Sequence, residues 1–186
     1  MAVRVGGGRW RGRVLPAPVP PGVRPTGART REAVFDLLGH DLAGRTFLDL
    51  FGGIGLMALE AASRGADVTI VDRAPASLRA IRRNVEATGA TVRVVAGDAA
   101  SPPPGSFDVV FLDPPWAEPI GPWILRAAAS CADVLVAEAR APVDWPEVPG
   151  FHLHRDRRYG DTALAVYRRG AAPGYRPGRN PIPETG

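Results

Sequence analysis

Asp113-Pro114-Pro115-Trp116 brings a carboxylate, a stiffened backbone and a flat aromatic ring together in four residues. It follows the apolar run 107–112, which reads as a buried strand. Each proline fixes its own φ and lacks a backbone donor, and each pushes the residue before it toward extended geometry. The expectation is a rigid ledge at a strand's carboxyl end. Its carboxylate and a nearby carbonyl can accept both hydrogens of an exocyclic amine, while the ring stacks on the base that carries the amine. The competing reading is a strand that stops at a proline-capped turn, with Asp113 capping and Trp116 packing.

Three further acids fall where strands should end. Residues 46–51 read as a buried strand containing Asp49, which runs into Gly52-Gly53-Ile54-Gly55 and a helix over 56–64. Residues 67–71 form a second strand ending at Asp72. A helix over 75–87 starts on Pro75 and stops before Gly89. Residues 91–95 are a third strand closed by Gly97-Asp98, and 107–112 the fourth. A helix over 119–130, a fifth strand over 134–137 and a hairpin of 152–157 with 163–168 complete the series. A helix over 29–40 precedes it. Strands alternating with helices specify an α/β fold, a Rossmann-like doubly wound, mostly parallel sheet. Ligands of such sheets bind outside the carboxyl ends of the strands, where Asp49, Asp72, Asp98 and Asp113 converge.

The glycine loop lets a ligand approach the backbone, and an acid about 20 residues later suits ribose hydroxyls, which places Asp72. A nicotinamide dinucleotide would also want a third glycine to seat its pyrophosphate, and residues 52–58 lack the full G-x-G-x-x-G pattern. Adenosine joined to an amino acid fits better. The loop then passes over the amino-acid part, Asp72 holds the ribose and Asp98 accepts from the adenine amine; that ligand is S-adenosylmethionine. Asp49 either joins the ligand site or supports the loop by hydrogen bonds.

All 23 basic residues are arginine, and seven precede the first acid, Glu32: Arg4, Arg9, Arg11, Arg13, Arg24, Arg29 and Arg31. Arginine pairs bidentately with phosphate and stacks on bases, so a basic arm points to nucleic acid. Compositional drift accounts for the missing lysines but not for 31 residues without an acid. The arm, 1–27, contains a hairpin expected to turn at Gly6-Gly7-Gly8 and a proline-rich extended stretch over 16–25, with no core of its own. The main domain spans 28–169, and 170–186 reads as a disordered tail. Cys131 is the only cysteine and excludes an internal disulfide; it reads as a small buried hydrophobe. His40, His152 and His154 come without a cysteine cluster, so no metal is expected. Without a membrane-length apolar run or a secretory signal, the expected location is the cytoplasm.

Taken together, Asp49-Leu50-Phe51-Gly52-Gly53-Ile54-Gly55, Glu60-Ala61, Ser63-Arg64-Gly65-Ala66 and Asp113-Pro114-Pro115-Trp116 resemble the RsmD family of bacterial 16S rRNA (guanine-N2)-methyltransferases. Gly7-Gly8-Arg9-Trp10-Arg11-Gly12-Arg13, Arg24-Pro25-Thr26 with Arg29, Arg31-Glu32 and Phe35, and Tyr159-Gly160-Asp161-Thr162 are similar to that family too. Ile54 stands where the family usually has a small hydroxyl residue. The resemblance implies a class I methyltransferase fold of about seven strands, the last antiparallel. It implies S-adenosylmethionine as cofactor and S-adenosylhomocysteine as product. The cofactor site would comprise Asp49, Phe51, Gly52, Gly53, Gly55, Asp72, Arg73, Asp98 and Ala99. The reaction would rest on Asp113, Pro114, Pro115 and Trp116, and the seven arginines with Tyr159 would contact 16S rRNA in a small-subunit assembly particle. A monomer is expected. Two rivals stay open: a DNA adenine-N6 or cytosine-N4 methyltransferase, and an RNA-binding protein that keeps the fold without turnover.

Overall fold

The computed structural model describes residues 3–170; beyond Gly170, the tail expected to be disordered lies outside them. After α1 (Ala28–Leu38), the chain alternates β1 (Thr46–Asp49), α2 (Leu56–Ser63), β2 (Asp67–Asp72), α3 (Pro75–Thr88), β3 (Arg93–Ala96), β4 (Phe107–Leu112), α4 (Ile120–Ala127) and β5 (Cys131–Arg140). A hairpin of β6 (Phe151–Tyr159) and β7 (Thr162–Arg169) follows. One seven-stranded sheet results, in the order β3-β2-β1-β4-β5-β7-β6. The first five strands are parallel, and β7 pairs antiparallel with β5 and with β6. The order reverses between β1 and β4, which is the switch point where such sheets bind ligands.

Both faces of the sheet are covered over β1, β2, β4 and β5, which is why these strands are largely continuous apolar runs rather than alternating ones. Phe47, Ile70, Val109, Phe111, Val134 and Val136 pack toward α1 and α2. Leu48, Val71, Val110, Leu112, Leu135 and Ala137 face the other way, with Ile120 and Ile124 of α4. β5 runs well beyond the expected 134–137 because it is paired on both sides, with β4 and with β7. The helix expected over 119–130 instead divides into α4 and a 3-10 turn, Ala128–Ser130.

The arm is built onto this frame. Its backbone doubles back through Val5 N–H to Arg13 O (3.0 Å), Gly12 N–H to Val5 O (2.8 Å) and Leu15 N–H to Val3 O (2.9 Å). Val5, Leu15 and Ala17 bury against Ile54, Leu56, Leu59 and Ala80, so the arm shares a core with the glycine loop, α2 and α3. Ile54, which also borders the cavity, thus packs against the arm. Glu60, 1% exposed, accepts from the backbone N–H groups of Gly6 and Gly7 and pairs with Arg31 (3.3 Å) and Arg64 (2.6 Å). Asn84, fully buried, accepts from Ala17 N–H (2.9 Å) and donates to Ile54 O (2.8 Å). Gly8 has φ +71°, and a Cβ there would lie 2.1 Å from the Ser63 carbonyl oxygen. Only glycine lets the arm sit this close to α2.

Candidate active site

A cavity of about 500 Å³ opens at the switch point, within the roughly 300–1,000 Å³ typical of ligand sites. The ends of β1, β2 and β4, the glycine loop and the segment 22–26 wall it.

The glycine loop is positioned from beneath. Gly52 N–H donates to Val71 O (3.0 Å), and Gly55 N–H turns back to Gly52 O (2.6 Å). A Cβ on Gly52 would stand 2.4 Å from Ile70 Cγ2 and 2.9 Å from Ile81 Cδ1, so the loop lies flat on the sheet. Asp72 accepts from Gly53 N–H (2.9 Å) and Ala74 N–H (2.8 Å), which fixes its carboxylate at the cavity wall. Asp49 is 1% exposed and accepts from Phe51 N–H (3.3 Å). Burial raises its pKa to about 7, helped by the charge of Asp72 and opposed by the Phe51 and Ala58 N–H groups. It thus both supports the loop and borders the cavity.

Asp98 lies at the far end of the wall, exposed, accepting from Ala100 N–H (2.9 Å) and from Arg73 (3.2 Å). The Ala100 N–H first, and then Arg73, hold its carboxyl below the ordinary range. Phe51 meets Trp123 edge to face, with centroids 5.1 Å apart, and both rings line the cavity. Trp123 Nε1–H is satisfied by Glu118 (2.9 Å).

Asp113-Pro114-Pro115-Trp116 line the same cavity. Glu118 N–H donates to Pro115 O (2.8 Å), closing the turn after the ledge. Asp113 is half-buried, and its pKa is pushed well above the ordinary value by burial first, then by Glu138 and Asp49, with Arg24 opposing. The Arg24 guanidinium lies 4.4 Å from the Trp116 ring centroid, and that of Arg140 6.0 Å from it.

Of the residues singled out from the sequence, Asp49, Phe51, Gly52, Gly53, Asp72, Arg73, Asp98, Ala99, the four ledge residues and Arg24 share this cavity. Gly55 sits just behind it as the left-handed start of α2. Arg9, Arg11 and Arg29 are exposed away from the cavity wall, and Arg4 and Arg13 reach the carbonyls of Gly12 and Thr88. Arg31 is engaged inside the protein by Glu60 and Thr26 O (2.7 Å), since α1 turns it toward the buried carboxylate. Tyr159 packs against the sheet core beside α1 and is absent from the cavity wall. Sequence reasoning missed Thr26 and Glu138, both buried and both in the wall. A glutamate held between Ala137 and Ala139, inside an apolar run, was the available signal for the second.

The model of the Conserved hypothetical protein 95 family matches residues 3–168. The chain is 36% identical over 183 residues to ribosomal RNA small subunit methyltransferase D of Escherichia coli strain K12, covering 91% of each sequence. A hypothetical protein of Thermus thermophilus, of solved structure, superposes with a TM-score of 0.74 at 31% identity, covering 88% of this chain and 98% of that one. The T. thermophilus 16S rRNA N2 methyltransferase RsmC, solved with AdoMet and guanosine, superposes with a TM-score of 0.65 at 21% identity, covering 80% of this chain and 44% of that one; at this identity the likeness is one of fold.

Proposed function

The chain belongs to the Conserved hypothetical protein 95 family, the RsmD family of the sequence resemblance, and from that premise we propose that it methylates the exocyclic N2 amine of a guanine in 16S rRNA, using S-adenosylmethionine. The observation that carries this reading is one cavity lined by the glycine loop, the carboxylates of Asp72 and Asp98, and Asp113-Pro114-Pro115-Trp116.

The residues present fit the cofactor. Gly52 and Gly53 line the cavity without side chains, so a ligand's amino-acid part can lie against bare backbone. Asp72 holds the ribose hydroxyls, Asp98 and Ala99 meet the adenine, and Phe51 and Trp123 supply an apolar wall. When bound, S-adenosylmethionine supplies an electrophilic methyl group on a sulfonium. Asp113 and the Pro114 carbonyl accept the two amine hydrogens and localise a lone pair otherwise delocalised into the ring. The new N–C bond forms as the C–S bond breaks, leaving S-adenosylhomocysteine. The amine's surplus proton passes to Asp113, whose raised pKa suits a proton acceptor. Trp116 stacks on the extruded base, offsetting the few kcal/mol that unstacking costs. Holding the two reactants in line contributes much of the rate.

The exposed arginines of the arm neutralise phosphates and set register without choosing the base. The substrate is 16S rRNA in a small-subunit assembly particle, and the enzyme acts as a monomer in the cytoplasm. Among the described residues no helix is long and apolar enough to cross a membrane.

The test is transfer of tritium from labelled S-adenosylmethionine to small subunits lacking the modification, free rRNA and plasmid DNA side by side, followed by identification of the nucleoside. N2-methylguanosine at one rRNA position is expected. Label in DNA refutes the RNA assignment, and Asp113→Ala with full activity refutes the mechanism.

A further inference from the structure

The ledge is flanked by an acid that the amine does not require. Leu112 of β4 pairs with Ala137 of β5, so the next residues of these parallel strands, Asp113 and Glu138, are neighbours, at a strand spacing of roughly 4.8 Å. By two-residue alternation both fall on the sheet face of Phe111 and Val136. Glu138 is 4% exposed and borders the cavity. Its Oε2 is closed to solvent and has no hydrogen-bond partner among the described residues. The groups that face it are the Thr26 hydroxyl, the Arg24 and Arg31 guanidinia and the Asp113 carboxyl. Buried polar atoms are nearly always paired, so an unpaired carboxylate oxygen at a cavity wall calls for a donor from the ligand.

Resting on the reading of this site as a guanine N2-methyltransferase, we propose that Glu138 determines base specificity by accepting the N1–H of the target guanine while Asp113 and the Pro114 carbonyl hold its amine. Guanine carries N1–H directly beside the N2 amine. Two neighbouring donors meet two acceptors on neighbouring strands. Adenine and cytosine place an unprotonated ring nitrogen beside their amines, and 2-aminopurine keeps the N2 amine but has an unprotonated N1. Once the Glu138 carboxyl is ionised, each would set a lone pair against it and leave both groups unpaired, which is the repulsive half of specificity, so the bases are compared at about pH 8. Arrival of the base displaces Arg24 from the Trp116 ring.

The experiment first maps the guanine labelled by the wild-type protein. It then compares 16S rRNA bearing guanine or 2-aminopurine at that position, assembled into small-subunit particles, with wild-type protein and Glu138→Gln. Sites built around a substrate hydrogen bond reject analogues lacking it by factors up to about 10⁴–10⁵, so wild-type kcat/KM should favour guanine by at least about a hundredfold. In Glu138→Gln the amide can turn its NH₂ toward an unprotonated N1, and the preference should fall by about tenfold or more with cofactor affinity unchanged. A merely structural role would lower both activities and leave their ratio alone. Guanine labelling with an unaltered ratio in the variant, or wild-type protein indifferent to the two bases, overturns the inference while the underlying reading stands. If the wild-type protein labels no guanine N2, that reading fails and the inference falls with it.

Discussion

Replacing Glu138 with glutamine should make the protein more stable above neutral pH. Burial raises the Glu138 carboxyl from its ordinary 4.5 to about 7, against the pull of Thr26, Arg24 and Arg31. The unfolded chain releases this proton near its ordinary value, whereas the folded chain keeps it until about neutrality. Between these limits the folded state binds more protons, so stability falls as pH rises. The sign is that of an acid whose folded pKa is raised: the contribution is complete below the unfolded pKa and lost as pH climbs through the folded one. A shift of about 2.5 units at roughly 1.4 kcal/mol per unit gives about 3 kcal/mol lost by about pH 8. Glutamine has nearly the same shape and no proton to lose. Urea melts followed by tryptophan fluorescence at about pH 5, 6, 7 and 8 should show the variant ahead by roughly 2–3 kcal/mol at the top of the range and nearly level with wild type at the bottom. For a chain of this size, the melting temperature should rise by about 4–12 °C at about pH 8. Asp49, raised to about 7 by the same burial, leaves a residual slope of the same sign in both proteins, and Asp113, raised by burial and then by the Glu138 and Asp49 charges, adds one that is smaller in the variant, where the Glu138 charge is gone. A variant less stable than wild type at about pH 8, or a gap that does not close on acidification, would show that the arginines hold the Glu138 carboxyl ionised well below neutrality, and the reasoning would be wrong.

Gly52→Ala should destabilise by about 1–3 kcal/mol, since its Cβ would meet Ile70 and Ile81; equilibrium unfolding measures this, and an alanine tolerated at no cost would mean the loop does not press on the sheet. Glu60→Gln strands two arginines and should cost about 3–5 kcal/mol. Faster hydrogen exchange at the backbone of Gly6 and Gly7 would accompany the loss, and unchanged protection would refute the clamp. Asn84→Ala leaves the buried Ala17 N–H and Ile54 carbonyl unpaired and should cost about 2–4 kcal/mol. Weaker S-adenosylmethionine binding by calorimetry should follow, because Ile54 belongs to the glycine loop.

The strand-end acids were legible because each stands at or near the close of an apolar run beside a glycine or proline signal. Asp49, Asp72, Asp98 and Asp113 all border the cavity for that reason. Glu138 was not, because nothing local ends β5 at residue 137; two-sided pairing carries the strand on to Arg140. The arm shows the same limit. Its arginines advertise charge, but whether a given one faces solvent is decided by partners far along the chain. Arg31 meets Glu60, and no short-range pattern marks a contact across 29 residues. Thr26 and Val23 enter the cavity wall through the path of a proline-rich segment whose composition announces extension and nothing about direction.

The place of β7 between β5 and β6 has a consequence for how the chain is made. Synthesis delivers β5 before the strand that covers its edge, so residues 131–140 wait with one row of backbone groups unpaired until residues 162–169 emerge. An apolar strand with an open edge is a template for any other extended chain, and nascent chains are most exposed to misassembly at that stage. Leu164 is the residue that finally pairs with Glu138. The wall of the cavity therefore takes its final form near the end of translation, and a chain released short of β7 would present that edge to its neighbours.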